Sequence, residues 1–410
     1  MTKINDKSKY LHIDGVSINE IAEKLKTPFY IYSETTLSDN YLKFKDAAIE
    51  NEIDNPLICF ALKSNPNKKV VKSLAKLGAG ADIVSGGELK RSLECGICPQ
   101  KIVFSGVGKT EEEINLALKS HKDGIYSFNV ESFEELELIN KLAAKAKKTA
   151  RVALRLNPQV QVKTHKHIST GFKTHKFGLL REDILKNLKQ RKYWSHTSLV
   201  GLSIHIGSQL TCLKATDKAI KELCQLALET GKTFEFFDVG GGLGVDYERT
   251  KDKPNCSDYM KLVSNALKKY YHSNTDNRPR IVFEPGRVIS ATAGHFITKV
   301  IRTKTSGACF FAIVDGGMND FVRTSLYGAY HEIIPIQKSK RKVVSTDIVG
   351  PICETADCFG SGIMLPKLMA NDIISVSDVG AYGHSMSSNY NMRDKPREFF
   401  ISKKGKVSKC

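Results

Sequence analysis

Ile58-Cys59-Phe60-Ala61-Leu62-Lys63-Ser64-Asn65-Pro66-Asn67 carries an apolar run into a lysine, and Ser-Asn-Pro-Asn then breaks it. This is the pattern of a short buried strand whose C-terminal end presents one ammonium group at the edge of a core. A desolvated lysine in such a place is a strong nucleophile, suited to Schiff-base formation. A lysine that merely caps the strand, with its head in water, has the same local sequence.

The same unit recurs along the chain. A helical period over Thr36–Glu52 precedes the Lys63 strand, and an amphipathic stretch, Lys69–Leu77, follows it. Strand-like Gly80–Ser85, Lys101–Ser105, Gly124–Val130, Arg151–Asn157, Leu199–His205, Phe234–Val239 and Arg280–Glu284 alternate with helix-like Gly87–Cys95, Thr110–Ser120, Ser132–Lys147, Arg181–Gln190, Ala215–Thr230 and Cys256–Tyr271. Short apolar strands alternating with longer amphipathic helices give an α/β fold with a parallel sheet. Seven or eight units over ~250 residues suit a (β/α)8 TIM-like barrel, whose chemistry sits at strand C-termini. A doubly wound open sheet has the same alternation.

After residue 285 the rhythm changes. Val288–Thr303, Ala308–Asp315, Lys342–Val349 and Ile373–Val379 read as strands with little helix between them. This predicts a C-terminal all-β domain, completed by the N-terminal strand Phe29-Tyr30-Ile31-Tyr32. The expected division is a barrel over 36–284 and a β-domain over 1–35 and 285–410.

At 410 residues the chain has room for two such parts. Hydrophobic content of 41% and charged content of 26% are those of an ordinary globular protein. No apolar run approaches the ~18 residues that cross a bilayer. Met1-Thr2-Lys3-Ile4-Asn5-Asp6 has no apolar signal region, so a cytoplasmic location and no membrane partner are expected. The net charge of +18 raises a nucleic-acid partner or an anionic small molecule. The lysines are scattered rather than gathered with aromatics, which favours generic surface charge and no nucleic acid. Lys403-Lys404-Gly405-Lys406 reads as a solvated tail. Ten cysteines without even spacing point to reduced thiols. Cys95-Gly96-Ile97-Cys98 has half-zinc-site spacing but no second pair, so it is taken as structural.

Residues just after the strands are polar, glycine-rich or titratable. They include Lys63, Asp82 with Ser85-Gly86-Gly87-Glu88, Ser105-Gly106, Asn129, Arg155 with Asn157, His205 with Gly207-Ser208, Gly240-Gly241-Gly242, and Glu284 with Gly286-Arg287. The glycine run can turn backbone N–H groups toward an anion such as phosphate, or be a tight turn with no ligand. Gly106-Val107-Gly108-Lys109-Thr110 lacks the first glycine of a nucleotide P-loop, Val103 standing there. His165, His167 and His175 lie among Lys163, Lys166, Lys173 and Lys176, and no metal is expected among ammonium groups. In the second domain Cys353 lies near the acids Glu354 and Asp357 and could be a general acid, a nucleophile or an ordinary thiol. Arg323, Tyr327 and Tyr382 stand in glycine-bounded loops.

In order, Phe60-Ala-Leu-Lys63-Ser-Asn, Gly80-Ala-Asp82-Ile-Val-Ser-Gly-Gly-Glu88, Lys176-Phe-Gly-Leu179, His205-Ile-Gly-Ser-Gln209, Gly240-Gly-Gly-Leu-Gly244, Glu284-Pro-Gly-Arg287, Cys353-Glu-Thr-Ala-Asp357 and Gly380-Ala-Tyr382 resemble the group IV pyridoxal-phosphate decarboxylases. These are built as an alanine-racemase-like barrel with a β-domain. Within that group the chain is similar to the diaminopimelate decarboxylase family, from Phe29 to Phe400. The resemblance implies pyridoxal 5'-phosphate as cofactor, with Lys63 as its covalent carrier and Asp82 beside it. It implies that Glu284 faces the pyridine nitrogen and that His205 stacks on the ring. Ser208, Gly240, Gly241, Gly242, the backbone at Gly286 and Arg287, and Tyr382 are implied for the phosphate. Cys353 is implied to return a proton to the α-carbon, a role for the thiol rather than the thiolate. Cys353 and Glu354 are implied to reach in from a partner subunit, so that a homodimer shares its active sites.

For a substrate such as meso-diaminopimelate, Arg287 and Arg323 suit the distal carboxylate, Glu354 the distal ammonium, and Tyr327 with Tyr382 complete the clamp. Ornithine, whose far end is only a cation, needs no arginine clamp. A polyamine-pathway decarboxylase is the second enzyme reading; a racemase, a non-catalytic cofactor carrier and an RNA-binding protein are further alternatives. Two departures from the family stand out. Thr324 takes the place of the usual proline after the arginine, and His175 that of a serine before Lys176-Phe177-Gly178.

Overall fold

Eight parallel strands close into a barrel in the computed structural model of the chain, which describes residues 8–160, 176–271 and 278–410. The strands are Leu57–Ala61, Gly80–Ile83, Ile102–Phe104, Ser127–Val130, Ala150–Leu156, Thr197–Ile204, Phe236–Asp238 and Arg280–Phe283. The last strand closes on the first, with Val282 opposite Leu57 and Phe283 opposite Ile58. That closure decides between the barrel and the open sheet. Every residue of Leu57–Ala61 is buried, because one face fills the interior and the other meets the outer helices. Leu57, Cys59, Val103, Ala153, Val200, Phe236 and Val282 pack together in a buried cluster. The barrel is thus a solid core, with its polar residues left for the rim.

Helices enter from that rim with side-chain caps. Ser85, Thr110, Ser132 and Asn255 accept from backbone N–H groups of the first turns that follow them. Thr110 with Glu113, and Asn255 with Asp258, form reciprocal capping boxes. Each cap ends a loop abruptly and places the residues before it at the barrel mouth.

The described residues divide into two compact units, one made of Asn40–Val245 with Asp252–Val288, the other of the chain up to Asp39, Asp246–Lys251 and Ile289–Cys410. The second unit is built on a nine-stranded sheet. The N-terminal strand Phe29–Ser33 lies inside it, antiparallel to Gly294–Ser306 and parallel to Arg397–Ile401. Phe29, Ile31, Ile297, Phe399 and Ile401 share one buried cluster, which is why that strand joins this sheet.

Three readings need correction. The segment from Val288 does not start as a strand: Arg287–Ser290 is one helical turn, Ala291–Ala293 a 3-10 turn, and the strand begins at Gly294. Lys403–Lys406 is not a tail but the turn between Arg397–Ile401 and Val407–Lys409, closed by Ser402 N–H to the Lys406 carbonyl at 3.0 Å. The strand Cys358–Pro366 escaped notice because its burial is irregular and Gly360 and Gly362 interrupt it. The basic loop with His165, His167 and His175 lies outside the described residues.

Candidate active site

Lys63 sits in a single 3-10 turn, Leu62–Ser64, immediately after its strand. Its Nζ lies 2.5 Å from Asp82 Oδ2, and the side chains are 34% and 0% exposed. The ammonium therefore reaches the rim while its counter-charge is shut away from water. Asp82 Oδ1 is buried without a hydrogen-bond partner among the described residues. Ala61 N–H donates to the Pro285 carbonyl at 3.0 Å, so barrel closure itself ties the lysine turn to the turn after Glu284.

Glu284 Oε1 accepts from Ser105 Oγ at 3.1 Å and Asn129 Nδ2 at 3.3 Å. Asn129 Nδ2 also donates to Asp238 Oδ2 at 2.8 Å. Burial, then the neighbouring Asp238 and Asp82, hold the Glu284 carboxyl well above the usual carboxylate range. Burial raises Asp238 as well. Asn129 thus bridges two buried acids, and a cation set against Glu284 would favour its ionised form.

His205 Nδ1 accepts from Gly241 N–H at 3.2 Å, which fixes a neutral ring with its proton on Nε2. Burial, with the Arg155 and Lys63 cations, holds the imidazole well below its ordinary pKa. A neutral, oriented ring is what stacking on a flat cofactor requires. Gly240 N–H donates to Asp238 Oδ1 at 2.9 Å, so two of the three glycine N–H groups already orient acidic and imidazole side chains. At Gly241 a Cβ would lie 2.1 Å from the Glu284 carbonyl oxygen, so only glycine lets these loops cross. Ser208 Oγ accepts from Arg287 Nη2 at 3.0 Å, joining a candidate phosphate ligand to the guanidinium expected to meet a distal carboxylate.

Sequence reasoning missed one carboxylate here, Glu131, and gave no role to another, Glu88, that it placed at the rim. Glu88 bonds Val84 N–H at 2.8 Å, and burial pushes its carboxyl up to about 7. Glu131, one residue past the strand Ser127–Val130, accepts Arg155 Nη1 at 2.5 Å, Gly106 N–H at 3.1 Å and Gly178 N–H at 2.7 Å. It thereby fixes Arg155 and the Lys176–Leu179 segment, and its position directly after a barrel strand was the signal available. Both members of the Arg155–Glu131 pair are buried. Glu131→Gln leaves a buried guanidinium without its counter-charge, and a loss of about 3–5 kcal/mol is expected in urea unfolding. An unchanged midpoint would show that the pair is dispensable.

In the β unit Arg323 is buried at the start of the helix Arg323–Tyr327. Its guanidinium lies 5.7 Å from the Tyr247 ring and 5.9 Å from the Tyr327 ring. Arg323 Nε donates to His331 Nε2 at 3.4 Å, and His331 Nδ1 lies 3.0 Å from the Ser377 carbonyl. The carbonyl can only accept, so His331 carries its proton on Nδ1 and accepts on Nε2. Tyr247, distant from Arg323 along the chain, and His331, in the loop eight residues after it, are further residues that the sequence did not reveal. Thr324 falls in the first helical turn, where proline's missing N–H carries little penalty, so the departure leaves the helix start intact.

Tyr382 holds a left-handed backbone with φ 57°, an unusual state for an aromatic residue. Cys353 and Glu354 are exposed. Their loop is built on Asp357, whose carboxylate accepts from Met318 N–H and Ile352 N–H, each at 2.7 Å. Gly350 is forced there, since its Cβ would lie 2.3 Å from Asp357 Oδ2. Ser325 Oγ donates to the Ala356 carbonyl at 2.6 Å, so the Arg323 helix and the Cys353 loop share a direct bond.

Residues 41–291 match the family model described as pyridoxal-dependent decarboxylase, pyridoxal binding domain. The diaminopimelate decarboxylase of Aquifex aeolicus strain VF5 is 41% identical over 397 residues, covering 95% of this chain and 90% of that one. The chain belongs to the diaminopimelate decarboxylase family. Among solved diaminopimelate decarboxylases, that of M. jannaschii superposes with a TM-score of 0.92 at 38% identity, over 99% of this chain and 94% of that one. The Helicobacter pylori diaminopimelate decarboxylase, complexed with L-lysine, gives 0.87 at 40% identity and 95% coverage of both chains.

The barrel residues fit the cofactor of such a decarboxylase. A primary amine stands beside a buried carboxylate with an unsatisfied oxygen, a neutral imidazole is held in one tautomer, and a buried acid bonded by Ser105 and Asn129 offers a setting that suits a cationic ring N–H.

Proposed function

We propose that the chain decarboxylates meso-2,6-diaminopimelate to L-lysine and carbon dioxide with pyridoxal 5'-phosphate, the last step of lysine biosynthesis by the diaminopimelate route. The observation that carries this reading is Lys63 paired with Asp82 on a barrel that also buries Glu284 against Ser105 and Asn129, in a chain whose β unit buries Arg323 between two tyrosines. When bound, the cofactor supplies an electron sink for the carbanion left by departing carbon dioxide. Lys63 would hold it covalently through Nζ. Glu284 would keep the ring nitrogen protonated, and His205 would cover one face of the ring. Ser208, the Gly242 N–H, the backbone at Gly286 and Arg287, and Tyr382 would hold the phosphate, Gly240 and Gly241 would allow its close approach, and Asp82 would fix the lysine.

Cys353 as the neutral thiol would give a proton to the α-carbon. Arg287 and Arg323 would fork onto the distal carboxylate, Glu354 would meet the distal ammonium, and Tyr327 with Tyr382 would line the clamp. In this reading residues 36–284 carry the cofactor, while 1–35 and 285–410 supply the substrate and subunit-contact residues. The exposure of Cys353 and Glu354 supports their serving a partner's site in a cytoplasmic homodimer. Among the described residues no helix is long and apolar enough to cross a membrane.

Incubating purified protein with pyridoxal phosphate and meso-diaminopimelate tests the proposal. Equal yields of carbon dioxide and lysine are expected. Silence with this substrate, alongside turnover of ornithine or arginine, would overturn it.

A further inference from the structure

Near the end of the chain, Tyr390–Met392 forms a short 3-10 turn that touches both reactive residues of the Cys353 loop. Tyr390 Oη donates to Glu354 Oε1 at 2.6 Å. Asn391 Oδ1 accepts from Cys353 N–H at 3.2 Å. Asn391 and Met392 both adopt left-handed backbone, with φ 55° and 56°. Asparagine tolerates that state well and methionine poorly, so the turn is held against its local preference. Its flanks show what holds it: Ser388 N–H donates to the Asn319 carbonyl and Arg393 Nη2 to the Asp315 carbonyl, both at 2.8 Å. The Asp315–Asp320 stretch is also where Asp357 grips Met318 N–H. The Cys353 loop is thus held from within by Asp357 and from outside by this turn, and both holds rest on one stretch of chain.

We propose that Tyr390 and Asn391 are positioning residues for the reaction: Asn391 sets where the Cys353 thiol stands, and Tyr390 sets where the Glu354 carboxylate points. This rests on the roles given above to Cys353 and Glu354. The Tyr390 bond occupies Oε1 of Glu354, which orients Oε2 for a substrate ammonium. The Asn391 bond fixes the backbone of the residue that delivers the proton, and displacements of about 1 Å there are enough to slow a proton transfer severely. The tyrosine hydroxyl keeps its proton, because Glu354 as an accepting anion raises it above its ordinary pKa.

The test separates the two roles in the intact holoenzyme. Tyr390→Phe should raise KM for meso-diaminopimelate roughly tenfold with kcat within about twofold, since it loosens binding of ground and transition states alike. Asn391→Gly keeps the left-handed backbone, removes the acceptor, and should lower kcat roughly tenfold with KM little changed. Asn391→Asp, which can still accept from Cys353 N–H, should restore kcat. A readout independent of turnover is iodoacetamide labelling of Cys353, followed by peptide mass analysis. Labelling should be several-fold faster in Asn391→Gly and return to the wild-type rate in Asn391→Asp. Cys353→Ala and Glu354→Gln serve as reference variants. If both are impaired while the Tyr390 and Asn391 variants match wild type in kinetics and labelling, the positioning role is wrong and the parent reading stands. If the reference variants themselves match wild type, the parent reading falls and this inference with it.

Discussion

Lys63→Ala is expected to abolish turnover of meso-diaminopimelate, with kcat lower by on the order of a thousandfold or more. The same variant should lack the yellow, long-wavelength absorbance of lysine-bound pyridoxal phosphate. The expectation follows from position: Nζ is 2.5 Å from a fully buried carboxylate and stands on a turn tied to that of Glu284 through Ala61 N–H and the Pro285 carbonyl. Lys63→Arg is the informative control. It restores a cation opposite Asp82, so folding should be kept, but guanidinium stays protonated and cannot act as a nucleophilic amine. An active, yellow Lys63→Arg protein would mean that another amine carries the cofactor.

Arg323→Ala is the second large effect. Removing one partner of a desolvated, charge-assisted contact costs about 2–5 kcal/mol, so kcat/KM for meso-diaminopimelate should fall by roughly 30- to several thousand-fold. Activity on ornithine, which has no distal carboxylate, should be unchanged. Arg323→Lys should behave nearly as badly as alanine. The guanidinium owes its place to two ring faces, Tyr247 and Tyr327, and to Nε bonding His331, none of which a flexible ammonium reproduces. A Lys variant with wild-type selectivity would show that charge alone suffices and that the planar fork is not what recognises the carboxylate.

The barrel was legible because its strands are buried at nearly every position, which makes them short apolar runs bounded by polar rim residues. Leu57–Ala61 and Ile102–Phe104 are clear cases. The rim motifs containing Lys63, Asp82, His205 and Glu284 stood out because polar and glycine-rich residues directly follow such runs. What stayed hidden depends on contacts between distant segments. Tyr247 flanks Arg323 from far back in the chain, Tyr390 and Asn391 reach back to Glu354 and Cys353, and nothing local marks either set. Glu131 was hidden differently. A glutamate after a strand looks like surface charge until Gly178, Gly106 and Arg155 are seen to converge on it. The half-exposed outer strands of the β unit, such as Cys358–Pro366 with its irregular burial and two glycines, carry too weak a pattern to announce themselves.

In the proposed reaction Lys63 and Glu284 serve a cofactor chemistry common to many substrates, whereas Arg323 would select among them. The most direct test is therefore the specificity of the wild-type protein, measured as kcat/KM for meso-diaminopimelate and for ornithine under one set of conditions. A preference for meso-diaminopimelate of roughly a hundredfold or more is expected, in line with a bidentate arginine–carboxylate contact made by only one of the two substrates. Equal values, or a preference for ornithine, would contradict the assignment of Arg323 to a distal carboxylate and with it the proposed reaction.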